Sequence, residues 1–222
     1  MSIHNYLLSG HHFKKAKQLT VDARNEQAGK SDQLFMQAYN RFSSISESYS
    51  GYADALYYWG LALLHQAKTK PSEEAIKIFE EAITKFSSCK AISPEHLGAA
   101  IDGGVALLGL AASKKVALEH ELYQKAKESF EAAENIQAGS ASYNLACIYA
   151  LQNKGGACLQ ALENAREHGL VPSEQDIRND DDLQNIKNLP WFAEYLSSLA
   201  VEKEGKSDTT EVEEKKKEEE SE

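Results

Sequence analysis

Small, aromatic and alanine residues recur along the chain at helical spacing, and this recurrence is the strongest pattern in the sequence. In each copy a small residue is followed four positions later by an aromatic residue or leucine, and three positions after that by alanine. The copies are Ser31, Phe35 and Ala38; Ala75, Phe79 and Ala82; Ala126, Phe130 and Ala133; and Cys158, Leu162 and Ala165. Residues at these intervals lie on one face of a helix. Each copy therefore predicts a helix that a neighbouring helix can approach closely.

An apolar segment precedes each copy and predicts the partner helix of a hairpin. Gly60-Leu-Ala-Leu-Leu64 and Gly104-Val-Ala-Leu-Leu108 repeat at an offset of 44 residues, with glycine as the point of close contact. Ser93 and Pro94 are expected to start the third leading helix, and Lys154-Gly155-Gly156 to form the turn of the fourth hairpin. The sequence thus predicts four helical hairpins, at 8–45, 52–90, 94–138 and 141–169.

This arrangement resembles the tetratricopeptide repeat family. The fourth hairpin carries the family pattern best, through Leu145-Ala146, Tyr149 and the Cys158 copy, and the second carries it through Trp59-Gly60 and Leu63. The third hairpin departs from the pattern because 22 residues separate Gly104 from Ala126, so longer helices are expected there. The resemblance covers roughly residues 8–170 and implies an all-α array of hairpins wound into a right-handed superhelix.

The C-terminal part of the chain has a different composition. Residues 171–201 are predicted to form a capping segment that covers the exposed end of the last repeat. Its apolar residues are Leu183, Ile186, Trp191, Phe192, Tyr195 and Leu196. Residues 202–222 consist almost entirely of Glu, Lys, Ser and Thr, so we expect a disordered charged tail.

The resemblance implies that the first helix of each hairpin lines a concave groove. The predicted partner-binding residues are Tyr57, Leu61, Leu64, Ile101, Val105, Leu108, Tyr143 and Cys147. Such an apolar surface with tyrosines suits an amphipathic helix or an extended peptide. The alternative is that a helix of the chain itself, from the N-terminus or the long third repeat, fills this groove, because an apolar patch of that size is rarely left exposed.

Net charge, cysteine spacing and hydropathy argue against several classes of partner and site. The net charge of −10 argues against a nucleic-acid partner, which requires clustered Lys and Arg. Three cysteines without CxxC spacing argue against a disulfide framework or a zinc site and favour reduced thiols in a cytoplasmic protein. No stretch approaches 18 apolar residues, so no transmembrane helix and no membrane partner are expected.

No catalytic motif accompanies these features. The HExxH, P-loop, GxGxxG and EF-hand spacings are all missing from the sequence. We therefore predict a non-catalytic adaptor that binds a protein or peptide, with no cofactor and no metal. A structural homo-oligomer is the second hypothesis, and an enzyme with an unrecognised site is the third.

Overall fold

The computed structural model describes residues 3–199, and every regular element within this range is a helix. The elements are α1 (Ile3–Asn25), α2 (Ala28–Ser43), α3 (Tyr52–Ala67), α4 (Ser72–Ile92), α5 (Leu97–Lys114), α6 (Glu121–Ile136), α7 (Ser142–Leu151), α8 (Gly155–Glu167), α9 (Glu174–Asn179), a 3-10 helix (Asp181–Ile186) and α10 (190–199). This confirms the all-α hairpin prediction. The predicted tail at 202–222 lies outside the described residues. The chain divides into a first compact unit up to Ala141 and a second from Ser142.

Three antiparallel hairpins, α1 with α2, α3 with α4 and α5 with α6, form the first unit. The recurring small and aromatic residues are buried in it, as predicted; they are Ser31, Phe35, Ala38, Ala75, Phe79, Ala82, Ala126, Phe130 and Ala133. The glycines act as contact points. A Cβ on Gly60 would lie 2.8 Å from the ring of Phe86, and one on Gly104 would lie 2.5 Å from the ring of Phe130. The helices therefore approach each other more closely there than a side chain would allow.

A polar chain joins α2 to α3. The Tyr39 hydroxyl donates to Gln66 Oε1 at 2.8 Å, and Gln66 Nε2 donates to Asp32 Oδ1 at 2.9 Å. Asp32 also pairs with Lys70 just beyond α3. Because Gln66 is buried, these bonds satisfy polar groups that would otherwise be costly to bury. They hold the second hairpin in a fixed register on the first.

The start of α5 differs from the sequence prediction. The helix begins at Leu97, and His96 is its cap, with Nδ1 accepting from the Ala99 N–H at 3.1 Å. Ser93 instead ends α4, where its N–H donates to Cys89 O. Ser93 therefore ends α4 and does not cap α5. The N-cap of α5 is instead a histidine, a residue type that N-cap preferences do not favour.

The long third hairpin is explained by both of its helices and the loop between them. Ten residues of α5 follow Gly104, whereas seven residues of α3 follow Gly60. The loop at 115–120 begins with Lys115 in the left-handed conformation, at φ 52°. Helix α6 then begins at Glu121, five residues before Ala126. The extra residues lengthen the hairpin without adding an element.

Helix α5 is also the one helix among residues 3–199 that is long and apolar enough to cross a membrane. This result rests on length and composition alone, and it corrects the sequence prediction that no segment is long and apolar enough to span a membrane. In the first unit α5 packs between α4 and α6, and Ala99, Ala100 and Ala106 are fully buried. Its apolar character therefore matches its place in the core.

The second unit contains α7, α8, α9, the 3-10 helix and α10. Its first turn does not use the glycines as predicted. Asn153 takes the left-handed conformation at φ 56°, and Gly155 is already the first residue of α8. The predicted capping residues Leu183, Ile186 and Phe192 are buried, and the Tyr195 hydroxyl donates to Leu162 O of α8 at 3.0 Å. The C-terminal segment therefore caps this unit, as predicted.

Candidate partner-binding surface

Five of the predicted groove residues lie partly exposed on two neighbouring helices of the first unit. Helix α3 contributes Tyr57 and Leu61, and α5 contributes Ile101, Val105 and Leu108. Helices α3 and α5 touch each other, so these side chains belong to one surface. We refer to these five residues as the α3/α5 face.

Tyr57 joins the two helices. Its hydroxyl donates to Asp102 Oδ2 at 2.9 Å, and its ring centroid lies 4.6 Å from that of His96. A Cβ on Gly98 would lie 2.8 Å from the Tyr57 ring, so this glycine makes room for the tyrosine. Burial raises the pKa of Tyr57 and also that of Asp102. Tyr57 therefore remains a neutral donor that fixes the spacing of the face.

The apolar residues of the face differ in whether they pack against the buried core. Leu61 and Val105 pack against the buried cluster of α3, α4 and α5. Ile101 and Leu108 are also partly exposed but lie outside that cluster. Ile101 and Leu108 are therefore the side chains whose apolar surface a partner could cover without competing with the fold.

Leu64 does not belong to the surface. It is 1% exposed and forms part of the same buried cluster. The prediction counted it as a groove residue because it lies four positions after Gly60. Leu64 instead packs among buried residues of α3, α4 and α5, so it supports the face from beneath.

Tyr143 and Cys147 are covered within the second unit by its own C-terminal segment. The Tyr143 hydroxyl donates to Asp180 Oδ2 at 2.7 Å, and Cys147 is 5% exposed with its Sγ 3.8 Å from the same oxygen. Ile177, Leu183 and Ile186 pack in the same cluster as Cys147. The chain itself therefore covers α7, but the covering segment is C-terminal to the repeats and is neither of the two named by the alternative, the N-terminal helix and the third repeat.

Two polar residues where α1 meets α3 were not among the predicted groove residues. Lys17 Nζ of α1 lies 4.0 Å from the centroid of the Tyr58 ring, a cation–π contact. His65 is half-buried, and its burial with the nearby Arg24 and Lys68 lowers its pKa to about 4. His65 is therefore neutral at physiological pH. The aromatic run that contains Tyr58 was visible in the sequence, whereas the partners of His65 depend on the packing.

One group of potential metal ligands occurs among the described residues. The ligand atoms of Cys147, Asp180 and Asp182 lie within 4.8 Å of one another. Burial, with the neighbouring Asp180 and Asp182, raises the pKa of the Cys147 thiol, so it stays protonated and is a poor ligand. Tyr143 already occupies one oxygen of Asp180. We interpret the group as the polar contact that holds the C-terminal segment on α7.

Comparison with known proteins gives one family. A family model described as "Plant specific mitochondrial import receptor subunit TOM20" matches residues 32–154, which is more than half of the chain. The matched range runs from α2 through α7 and includes the whole α3/α5 face. No curated protein and no solved structure matches the chain significantly.

This match bears on four of the sequence predictions. A receptor subunit binds proteins and is not an enzyme, so the non-catalytic, protein-binding prediction is confirmed at that level. The predicted cytoplasmic location is wrong because the family is mitochondrial. The match names this receptor family, and the tetratricopeptide relationship stays a resemblance of the helical hairpins. The match tests neither homo-oligomer formation nor the expected lack of a membrane partner.

Proposed function

The chain belongs to the plant-specific TOM20 family of mitochondrial import receptor subunits, and on this premise we propose that it binds the targeting segment of proteins destined for mitochondria. The ligand in this proposal is an amphipathic, arginine-rich helix, which is the usual form of such segments. The proposed binding surface is the α3/α5 face.

The single observation that carries the choice of surface is the unused apolar area on two adjacent helices. Ile101 and Leu108 are partly exposed, lie outside the core cluster, and flank Val105 on the same helix. Two packed helices leave a shallow groove between their side-chain ridges. The apolar stripe of an amphipathic helix can lie in such a groove through residues spaced three and four apart.

Charge supports the same ligand. The net charge of −10 attracts an arginine-rich peptide from a distance. Near the start of α3, the Asp54 side chain is 59% exposed and lies 3.4 Å from His96 Nε2. Asp102 accepts the Tyr57 hydrogen bond on the adjoining turn of α5. These acids support an orientation in which the arginines of the peptide lie toward the N-terminal ends of α3 and α5.

The test is a binding titration with a fluorescently labelled, synthetic amphipathic peptide rich in arginine. The double variant Ile101→Glu/Leu108→Glu is expected to weaken binding roughly tenfold or more, because it places two buried charges against the apolar stripe. The matched control is Ile92→Glu, which changes a residue that is 54% exposed on α4, a helix that contributes no residue to the face. A scrambled peptide of equal composition tests whether the stripe itself is recognised.

Two results would overturn the proposal. Unchanged affinity of the Ile101/Leu108 double variant, or equal affinity for the scrambled peptide, would exclude the α3/α5 face as the recognition surface. Sedimentation of the unliganded protein separates the homo-oligomer hypothesis, since a dimer that dissociates in the same double variant would mean that a second copy occupies the face.

A further inference from the structure

The first helix extends beyond the helix on which it packs. Helix α1 has 23 residues and α2 has 16, and the segment after α2 meets α1 at Ser9, where the Ser46 N–H donates to Ser9 Oγ at 3.3 Å. At 1.5 Å per residue, the overhang is about 10 Å, or roughly two helical turns. The residues before Ser9 therefore lack α2 as a neighbour.

This overhang carries large apolar side chains that face solvent. Ile3 is 81% exposed, Leu7 is 65% exposed and Leu8 is 46% exposed. Ile3 and Leu7 lie one above the other, and Leu8 is displaced from Leu7 by about 100° around the helix. The three side chains thus form a convex apolar surface over about 140° of the helix circumference. Tyr6 lies outside this surface, where its ring packs on Tyr49 and its hydroxyl is 3.1 Å from Ser50 Oγ.

Basic residues follow on the same helix. Lys14 and Lys15 are exposed, and neither forms an ion pair with any residue in the described range 3–199. Lys14 lies two turns after Leu7, on the same side of α1. The one acid of the helix, Asp22, accepts a hydrogen bond from Gln18 at 2.8 Å. This end of α1 is therefore apolar and basic in a chain whose net charge is −10.

We propose that the N-terminal end of α1 binds the surface of a membrane that contains anionic lipids. Ile3, Leu7 and Leu8 enter the boundary between headgroups and acyl chains, and Lys14 and Lys15 contact the headgroup phosphates. Both signals are needed, because a few lysines or a few apolar side chains alone bind a membrane weakly. The α3/α5 face takes no part in this contact.

The shape and composition of the patch favour lipid over two other occupants. A peptide binds best in a groove, and the nearby groove of about 480 Å³ is lined by Phe13, Lys14, Lys17 and Tyr49. None of the three apolar residues of the overhang lines this groove, so a peptide bound there would leave them exposed. Residues 202–222 have enough acids to pair with the lysines but contain a single large apolar residue, Val212. They could neutralise the patch without covering its apolar surface.

The experiment is flotation of the full chain with vesicles of phosphatidylcholine that contain about 30% phosphatidylserine, compared with phosphatidylcholine alone. Leu7→Ser is expected to reduce the bound fraction roughly tenfold, since it removes one inserted leucine. Its control is Met36→Ser on α2, where the side chain is 58% exposed. Lys14→Glu/Lys15→Glu is expected to reduce binding at least as much, with Lys77→Glu/Lys115→Glu as the charge-matched control.

Three results would overturn this inference. The first is failure of the wild-type chain to float with the anionic vesicles. The second is equal flotation of Leu7→Ser and Met36→Ser. The third is equal binding to neutral and anionic vesicles, together with equal binding of the two double lysine variants. Titration of the same variants with the arginine-rich peptide keeps the two proposals apart, because Leu7→Ser leaves the α3/α5 face unchanged. Loss of vesicle binding with retained peptide binding supports a separate membrane contact.

Discussion

Single glycines set how closely the helices of the first unit pack. Gly104 faces Phe130, which is fully buried. Gly156, in the first turn of α8, would place a Cβ in open space, with no packing neighbour within 4 Å beyond the local helix backbone. The same residue type therefore has opposite roles in the two helices. At Gly104 the missing side chain is a packing requirement, and at Gly156 it only weakens the helix.

The substitution Gly104→Ala is expected to destabilise the protein by about 1–3 kcal/mol, because the new methyl group overlaps a ring that has no room to move. Gly156→Ala is expected to stabilise it by about 0.5 kcal/mol through helix propensity and a less flexible unfolded chain. Urea unfolding followed by circular dichroism measures both. If Gly104→Ala leaves the midpoint unchanged, the close contact between α5 and α6 is wrong.

Helices and hairpins differ in how far the sequence predicts them. The small and aromatic residues around Phe35, Phe79 and Phe130 identify the second helix of each hairpin, because burial of one face imposes its own period on the sequence. The start of α5 at Leu97 was not predictable from cap preferences, since it depends on where α4 ends. The sequence identified Leu183 and Ile186 as cover for the last repeat but not the 3-10 form of that segment, because a short segment gains its structure from the surface on which it packs.

That covering segment can be tested through the cysteine beneath it. Leu183→Ala removes a fully buried side chain, at a cost of roughly 2–5 kcal/mol, and should open the contact between the 3-10 helix and α7. Cys147, which is 5% exposed, should then react with N-ethylmaleimide faster than in the wild type. Digestion and mass spectrometry identify the labelled residue.

The first unit supplies an internal reference for this experiment. Cys89 is fully buried there, and burial raises the pKa of its thiol to about 11, so it should stay unreactive in both proteins. Leu170→Ala, at a leucine that is 45% exposed, controls for loss of a leucine as such. Slow labelling of Cys147 in the Leu183 variant would show that α7 is protected by something other than this segment.

At the scale of the whole molecule, fold and location are encoded differently. Packing physics acts on residues such as Ala75 and Ala126, so the hairpins could be predicted from one sequence. A mitochondrial location is read by other proteins and leaves no periodic signature in a helical core. The sequence analysis therefore had only three cysteines without CxxC spacing to go by, and these suggested the cytoplasm. The proposed partner surface is an intermediate case, since the repeat pattern suggested Ile101 and Leu108, whereas the cover over Tyr143 required the structure.

Net charge acts on the whole chain and gives a prediction about rates. Half of the charge of −10 lies in residues 202–222. Replacing Glu213, Glu214, Glu218, Glu219 and Glu220 by glutamine halves the net charge and leaves the α3/α5 face unchanged. The association rate of the arginine-rich peptide should fall about threefold at low salt, because long-range attraction steers encounter.

Salt and a matched tail distinguish steering from direct contact. At about 1 M salt the Debye length is roughly 3 Å, so the association rates of the two proteins should converge. A tail with the same residues in scrambled order keeps the charge and should keep the wild-type rate, and the dissociation rate should be equal in all three proteins, as stopped-flow fluorescence can measure. A dissociation rate that rises in the glutamine variant would instead mean that the acidic residues touch the bound peptide, and the binding surface would then extend beyond the α3/α5 face.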